Sequence, residues 1–85
     1  DNYSRKAVAY LPALKINEAN QVVQVVEEKS GEVVYTLRIN GKDFRPKVFA
    51  KGKYTVKVGE GTNRKVIENL QALPLAEKKT LKVDL

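Results

Sequence analysis

Eighty-five residues and a net charge of +6 make one small domain, with no second lobe to form an interdomain cleft. Cysteine, histidine, methionine and tryptophan are all absent. This excludes disulfide staples, thiol catalysis, a Cys/His zinc site and an imidazole general base. Fifteen of the apolar residues are Val or Ile, an inventory that favours pleated sheet because β-branched side chains lose rotamer freedom against a helical turn. No apolar run reaches the ~20 residues of a membrane-crossing helix, and no signal-peptide core stands at the start. The first residues, Asp1-Asn2-Tyr3, lack an initiator methionine, as expected of a chain cut from something longer.

In chain order, residues 1–10 mix charge, Tyr and Ala without a period and read as a linker or lead-in, with a β-sandwich domain over 11–85. Leu11 to Ile16 is a first strand, and Pro12 near its start points to a sheet edge because proline cannot donate to a ladder. Gln21 to Glu27 and Glu32 to Ile39 are two runs parted by Glu28-Lys29-Ser30-Gly31, the pattern of a β-hairpin. In the second run Val33, Tyr35, Leu37 and Ile39 take one face, and Glu32, Val34, Thr36 and Arg38 the other. Asn40-Gly41 suits a tight turn with positive φ. Phe44 to Phe49 is a short extended piece in which Pro46 implies an edge or an irregular crossing. Tyr54, Val56 and Val58 alternate with Thr55 and Lys57 in a further strand that Gly59-Glu60-Gly61 closes.

Residues 63–73 fit two patterns. Val66, Ile67, Leu70 and Leu73 fall at helical spacing, with Thr62 or Asn63 as an N-cap. As a strand, Val66 and Leu70 share a face with Glu68, while Lys65, Ile67 and Asn69 take the other; strands on both sides favour this second pattern. Leu73 to Lys78 reads as a loop, and Thr80 to Leu85 as a last strand with Leu81, Val83 and Leu85 inward. About seven short strands parted by Gly, Asn and Pro turns predict an all-β fold, a single antiparallel β-sandwich of immunoglobulin-like or prealbumin-like kind and monomeric as an isolated domain. Its expected core is Leu14, Ile16, Val23, Val25, Tyr35, Leu37, Ile39, Phe44, Val48, Tyr54, Val56, Val58, Leu81 and Val83.

The charge excess sits in one window. Residues 38–57 hold seven cations against Asp43 alone, a net of +6, and the flanking stretches cancel. Arg38, Lys53 and Lys57 point outward on strands, and Arg45 and Lys47 flank Pro46; if the strands are neighbours, these five form a candidate face for an anionic polymer, polysaccharide or nucleic acid. Nucleic-acid binders pair such a surface with exposed rings, and Phe49 is the one candidate. The simpler reading is that the lysines solubilise the sheet and deter edge pairing.

The other motifs are weaker. Gly59-Glu60-Gly61 before Arg64 and Lys65 would seat a phosphate only if a helix followed, and Glu60 opposes it. Glu27, Glu28 and Glu32 surround one hairpin end, where two of them could approach and hold a weak cation. Ser4 and Ser30 have no base to activate them, and Asn2-Tyr3-Ser4 is an isolated match to the glycosylation triplet. No catalytic, cofactor or metal residue is assigned.

The stretch from Gly31 through Gly41, then Phe44-Arg45-Pro46-Lys47-Val48-Phe49, then Gly52-Lys53-Tyr54-Thr55-Val56-Lys57-Val58-Gly59, resembles the C-terminal β-sandwich of secreted bacterial metallophosphoesterases of the alkaline phosphatase D (PhoD-like) type. More loosely it is similar to prealbumin-like and carboxypeptidase-regulatory-like modules. The likeness covers about residues 11–85. It implies a non-catalytic periplasmic or extracellular accessory domain whose partner is an upstream catalytic domain, with residues before 11 as the tether.

Overall fold

A computed structural model of the protein describes residues 6–74, 77 and 79–85. The triplet Asn2-Tyr3-Ser4, the start of the lead-in and part of the 73–78 loop (Leu75, Ala76 and Lys78) lie outside the described residues. Among the described residues nine strands follow in order: β1 (Ala9–Tyr10), β2 (Ala13–Ile16), β3 (Val22–Glu27), β4 (Val33–Arg38), β5 (Asp43–Phe44), β6 (Lys47–Val48), β7 (Lys53–Val58), β8 (Lys65–Gln71) and β9 (Thr80–Val83). A four-stranded antiparallel sheet, β4-β3-β7-β8, lies against a three-stranded sheet, β5-β2-β9, and the β1-β6 ribbon completes the enclosure. The architecture is an all-β, sandwich-like domain.

All fourteen expected core residues lie in the apolar cluster or pack against it. Leu14, Val23, Val25, Val48, Val56 and Val58 are almost completely enclosed, and no polar or charged residue is buried among the described residues. The β3-β4 hairpin forms as its spacing predicts. Gly31, at φ 72°, donates its N–H to Glu27 O at 2.8 Å, and Glu27 N–H donates to Glu32 O at 2.9 Å.

The pairing refines the lead-in, moves β2 from an edge to the centre of its sheet, and divides Phe44–Phe49 as Pro46 suggested. The lead-in ends before residue 8: Val8 N–H donates to Val48 O, Ala9 is buried opposite Val48, and Tyr10 bridges to Leu73. β2 is the centre of its sheet, with Pro12 outside the ladder, and it runs parallel to β9 (Leu14 opposite Leu81, Ile16 opposite Val83). Most of the chain separates these two strands, so the parallel pair needs no compact crossover helix. Phe44–Phe49 divides at Arg45-Pro46, β5 joining β2 and β6 joining β1, as an irregular crossing at proline requires.

Both outer strands of the four-stranded sheet carry a β-bulge. On β4, Val25 faces Tyr35 but Val26 faces Val33, so Val34 is an extra residue. The alternation resets there: Val34 packs toward the core, and Val33 stands out, 47% exposed. On β8, Tyr54 faces Leu70 and Val56 faces Ile67, so Glu68 and Asn69 together oppose Thr55. Residues 65–71 are therefore strand, yet Leu70 and Ile67 share the inner side and Val66 faces water, because the bulge shifts the phase by one residue. Only Gly61–Asn63, one 3-10 turn, is helical there.

Asn69 adopts φ 60°, which an L-residue tolerates best as Asn or Gly. Its N–H, released from the ladder, donates to Glu28 Oε2 at 2.6 Å, and Thr55 Oγ1 donates to the same oxygen at 3.1 Å. Glu28 thus ties the hairpin turn to the bulge across β7. Asn69→Val, which puts a β-branched side chain at φ 60°, is expected to cost about 1–3 kcal/mol, whereas Asn69→Gly stays near neutral. Urea midpoints of the two variants measure the difference.

Candidate functional site

The five candidate cations do not form one face. Alternation puts Arg38 of β4 and Lys53 and Lys57 of β7 on the outer side of the four-stranded sheet, but β3 lies between those strands. Arg45 and Lys47 belong to the other side. The Tyr35 hydroxyl, reaching inward from β4, donates to Lys47 O at 2.8 Å, so the backbone of β6 lies across the interior from the outer face. The Arg45 guanidinium stacks 4.1 Å from the centre of the Tyr10 ring and donates to Glu77 O at 2.8 Å. Phe49 is not a solvent-facing platform: it is half-buried, its ring 6.2 Å from that of Tyr35 at a tilt of 57°.

The outer face instead carries a hollow of about 260 Å³, lined by Val22, Gln24, Thr36, Lys57, Gly59, Glu60, Gly61 and Arg64. The ladder sets its floor. Gln24 faces Thr36 on β4 and Lys57 on β7, so three side chains stand in a row across adjacent strands. Gln24 Nε2 donates to Thr36 Oγ1 at 3.0 Å. At the rim, Arg38 binds Glu60 at 2.8 Å and also donates to Asn20 O at 2.7 Å. Lys57 and Arg64 are in no ion pair among the described residues. From sequence, Arg64 entered only as part of a glycine-loop pattern, and Gln24 and Thr36 carried no signal at all. Pairing register alone brings them together.

The acidic end of the β3-β4 hairpin is divided between separate partners. Glu27 Oε1 accepts the Ser30 hydroxyl at 2.7 Å, while Glu28 serves the bulge. Glu27 and Glu32 do approach one place, a second hollow of about 230 Å³ that Val33, Val34, Phe49, Ala50 and Tyr54 also line. Among the described residues no three acidic side chains are grouped to hold a metal ion. No helix there is long and apolar enough to cross a membrane.

Tyr54 stands at the floor of that second hollow, opposite Glu27 in the ladder, and its hydroxyl donates to Ala50 O at 2.7 Å. Burial first, and the Glu27 carboxylate second, push its pKa above the ordinary tyrosine value. The folded state therefore holds this proton more tightly than the unfolded chain. The resulting stability is complete below about pH 10 and is lost as pH rises through the raised folded value. Tyr54→Phe is expected to cost about 1 kcal/mol at neutral pH through the missing hydrogen bond. Its deficit relative to the parent should shrink above about pH 10. Denaturant midpoints on both sides of that pH test the sign.

The chain matches no family model, and no curated protein or solved structure matches it significantly.

Proposed function

We propose that the chain is a non-catalytic accessory domain, the C-terminal module of a larger secreted hydrolase of the alkaline phosphatase D type, placed in the periplasm or outside the cell. It packs against, or positions, the catalytic domain upstream on the same chain. The observation that supports this reading is the route by which the chain enters the fold. Antiparallel pairing of β1 with β6, continued by the Val8-to-Val48 hydrogen bond, brings the chain into the fold at Val48, the residue before Phe49 and Ala50. Those two residues line the hollow that Val33, Val34 and Tyr54 share. Val8, where the chain enters, and Val33, at the hollow, are both about half exposed and offer apolar contact to a preceding domain.

The apolar interior supports the same reading in another way. A core closed by side chains from every strand leaves the domain able to hold a fixed shape as a rigid spacer, with contact surfaces confined to its outside. Val33→Glu tests the reading. In the 85-residue chain it should shift stability by no more than about 0.5 kcal/mol, because Val33 is half exposed on an outer strand and outside the apolar cluster. In the full-length protein it should uncouple the thermal transitions of the two domains. Unchanged coupling, an open reading frame with no hydrolase upstream, or ester turnover by the isolated domain would each reject the proposal.

A second reading, weak binding of an anionic polymer, draws on Arg38, Lys53 and Lys57 sharing the outer face. Arg45 and Lys47 do not contribute to that side. Retention on heparin should then occur at low salt and vanish near physiological ionic strength. Elution in the void volume at low salt removes this reading.

A further inference from the structure

We propose that the hollow over Gln24, Thr36, Lys57 and Arg64 is a site for a single tetrahedral dianion, a phosphate or sulfate group. The inference is independent of the accessory-domain reading and of the five-cation face. It uses one member of that face together with three residues outside it.

The chemistry follows from how the lining side chains are already engaged. Thr36 Oγ1 accepts a hydrogen bond from Gln24 Nε2, so the hydroxyl keeps its own proton to donate. Gln24, using one amide hydrogen on Thr36, has a second. Lys57, half-buried beside Gln24, and Arg64, exposed at the start of β8, bring two positive charges to the same hollow. The one carboxylate lining it, Glu60, is held by Arg38, and Asn20 O fixes that guanidinium from the other side. The Arg38–Glu60 pair is neutral as a unit, leaving a net of two positive charges from Lys57 and Arg64. A planar guanidinium suits two oxygens of a tetrahedral group, and an ammonium suits a third.

The surroundings set the strength. On the far side of Lys57 a neighbouring hollow carries Glu27, which accepts the Ser30 hydroxyl, with Glu28 and Glu68. The Glu28 carboxylate accepts two hydrogen bonds at the bulge, and Glu68 is exposed. Two partly solvated cations and two neutral donors correspond to affinity in about the millimolar range. A monoanion should bind more weakly than a dianion, since half the charge complementarity is lost.

The test is NMR titration of the isotope-labelled 85-residue chain with inorganic phosphate and, separately, inorganic sulfate, at about pH 5 and about pH 8. The expected result is saturable amide shifts confined to residues 22–24, 36 and 57–64. At the higher pH both ions should bind; at the lower pH phosphate, then a monoanion, should weaken at least threefold while sulfate holds. The double variant Lys57→Gln, Arg64→Gln should lose at least tenfold in affinity, and Arg64→Lys should recover part of it. Lys53→Gln, on the same strand and face, should stay within twofold. The same spectra report whether each variant is folded, and the single variants stand in for the double if it is not. Shifts that do not saturate, affinity retained in the double variant, or an equal loss in Lys53→Gln would overturn the site in favour of a diffuse surface field.

Discussion

A side chain on a β-strand has two directions in which to point, and most of this chain's apolar residues point the same way, into one shared interior. Val23, Val25, Tyr54, Val56 and Val58 supply one wall of the interior, and Leu14, Ile16 and Val83 supply the facing wall. Each fully buried Val, Leu or Ile contributes on the order of 1.5–3 kcal/mol. In a domain without disulfides this apolar packing is the chief term opposing chain entropy. The two tyrosines that enter the interior carry their hydroxyls to backbone carbonyls at its margin, Tyr35 to Lys47 and Tyr54 to Ala50, so neither leaves a polar atom orphaned.

Strict alternation would also have placed Val33 and Val66 according to their parity, and here the bulges intervene. Each inserts one residue on an outer strand, so the strand keeps its apolar contacts on both sides of the insertion while its twist changes. The placement has a consequence for solubility. A flat outer strand invites pairing with another chain, and both outer strands of the larger sheet are interrupted. Glu28 converts one interruption into a tertiary contact, since its carboxylate serves donors on two further strands. Part of the acidic hairpin end is therefore occupied with holding the edge strand in place, a structural use for residues that in sequence suggested a cation site.

What could be read from sequence was what depends on local period. The β3-β4 hairpin, the Tyr54-Val56-Val58 strand, the full expected core and the break at Pro46 all follow from side-chain alternation and turn chemistry within about ten residues. What could not be read depends on register between distant segments. The parallel pairing of β2 with β9 leaves no local mark, and neither does the seating of Tyr10 against Leu73. The β8 bulge had a trace in Asn69, a residue type that tolerates positive φ, but Asn is common in turns and its meaning emerges only beside Thr55 and Glu28. The same limit explains the candidate cations. Sequence proximity gathered Arg45 and Lys47 with Lys53 and Lys57, while the crossing at Pro46 carries the first two away from the outer face.

Separation also decides which outer-face cations can act together. Lys53 and Lys57 are four residues apart on one strand, roughly 13 Å at about 3.3 Å per residue. That exceeds the Debye length of about 8 Å at physiological ionic strength, so the two act as nearly independent charges. A polyanion would feel their sum only at low salt. Lys57 and Arg64 line one hollow, within reach of a single bound group, and two donors prepositioned by the β3-β4 ladder stand beside them. An ion seated there interacts with both charges at contact distance, where screening by mobile salt is least. Binding through this hollow should therefore survive a salt concentration that abolishes attraction to the face as a whole, and that contrast separates a built site from a merely basic surface.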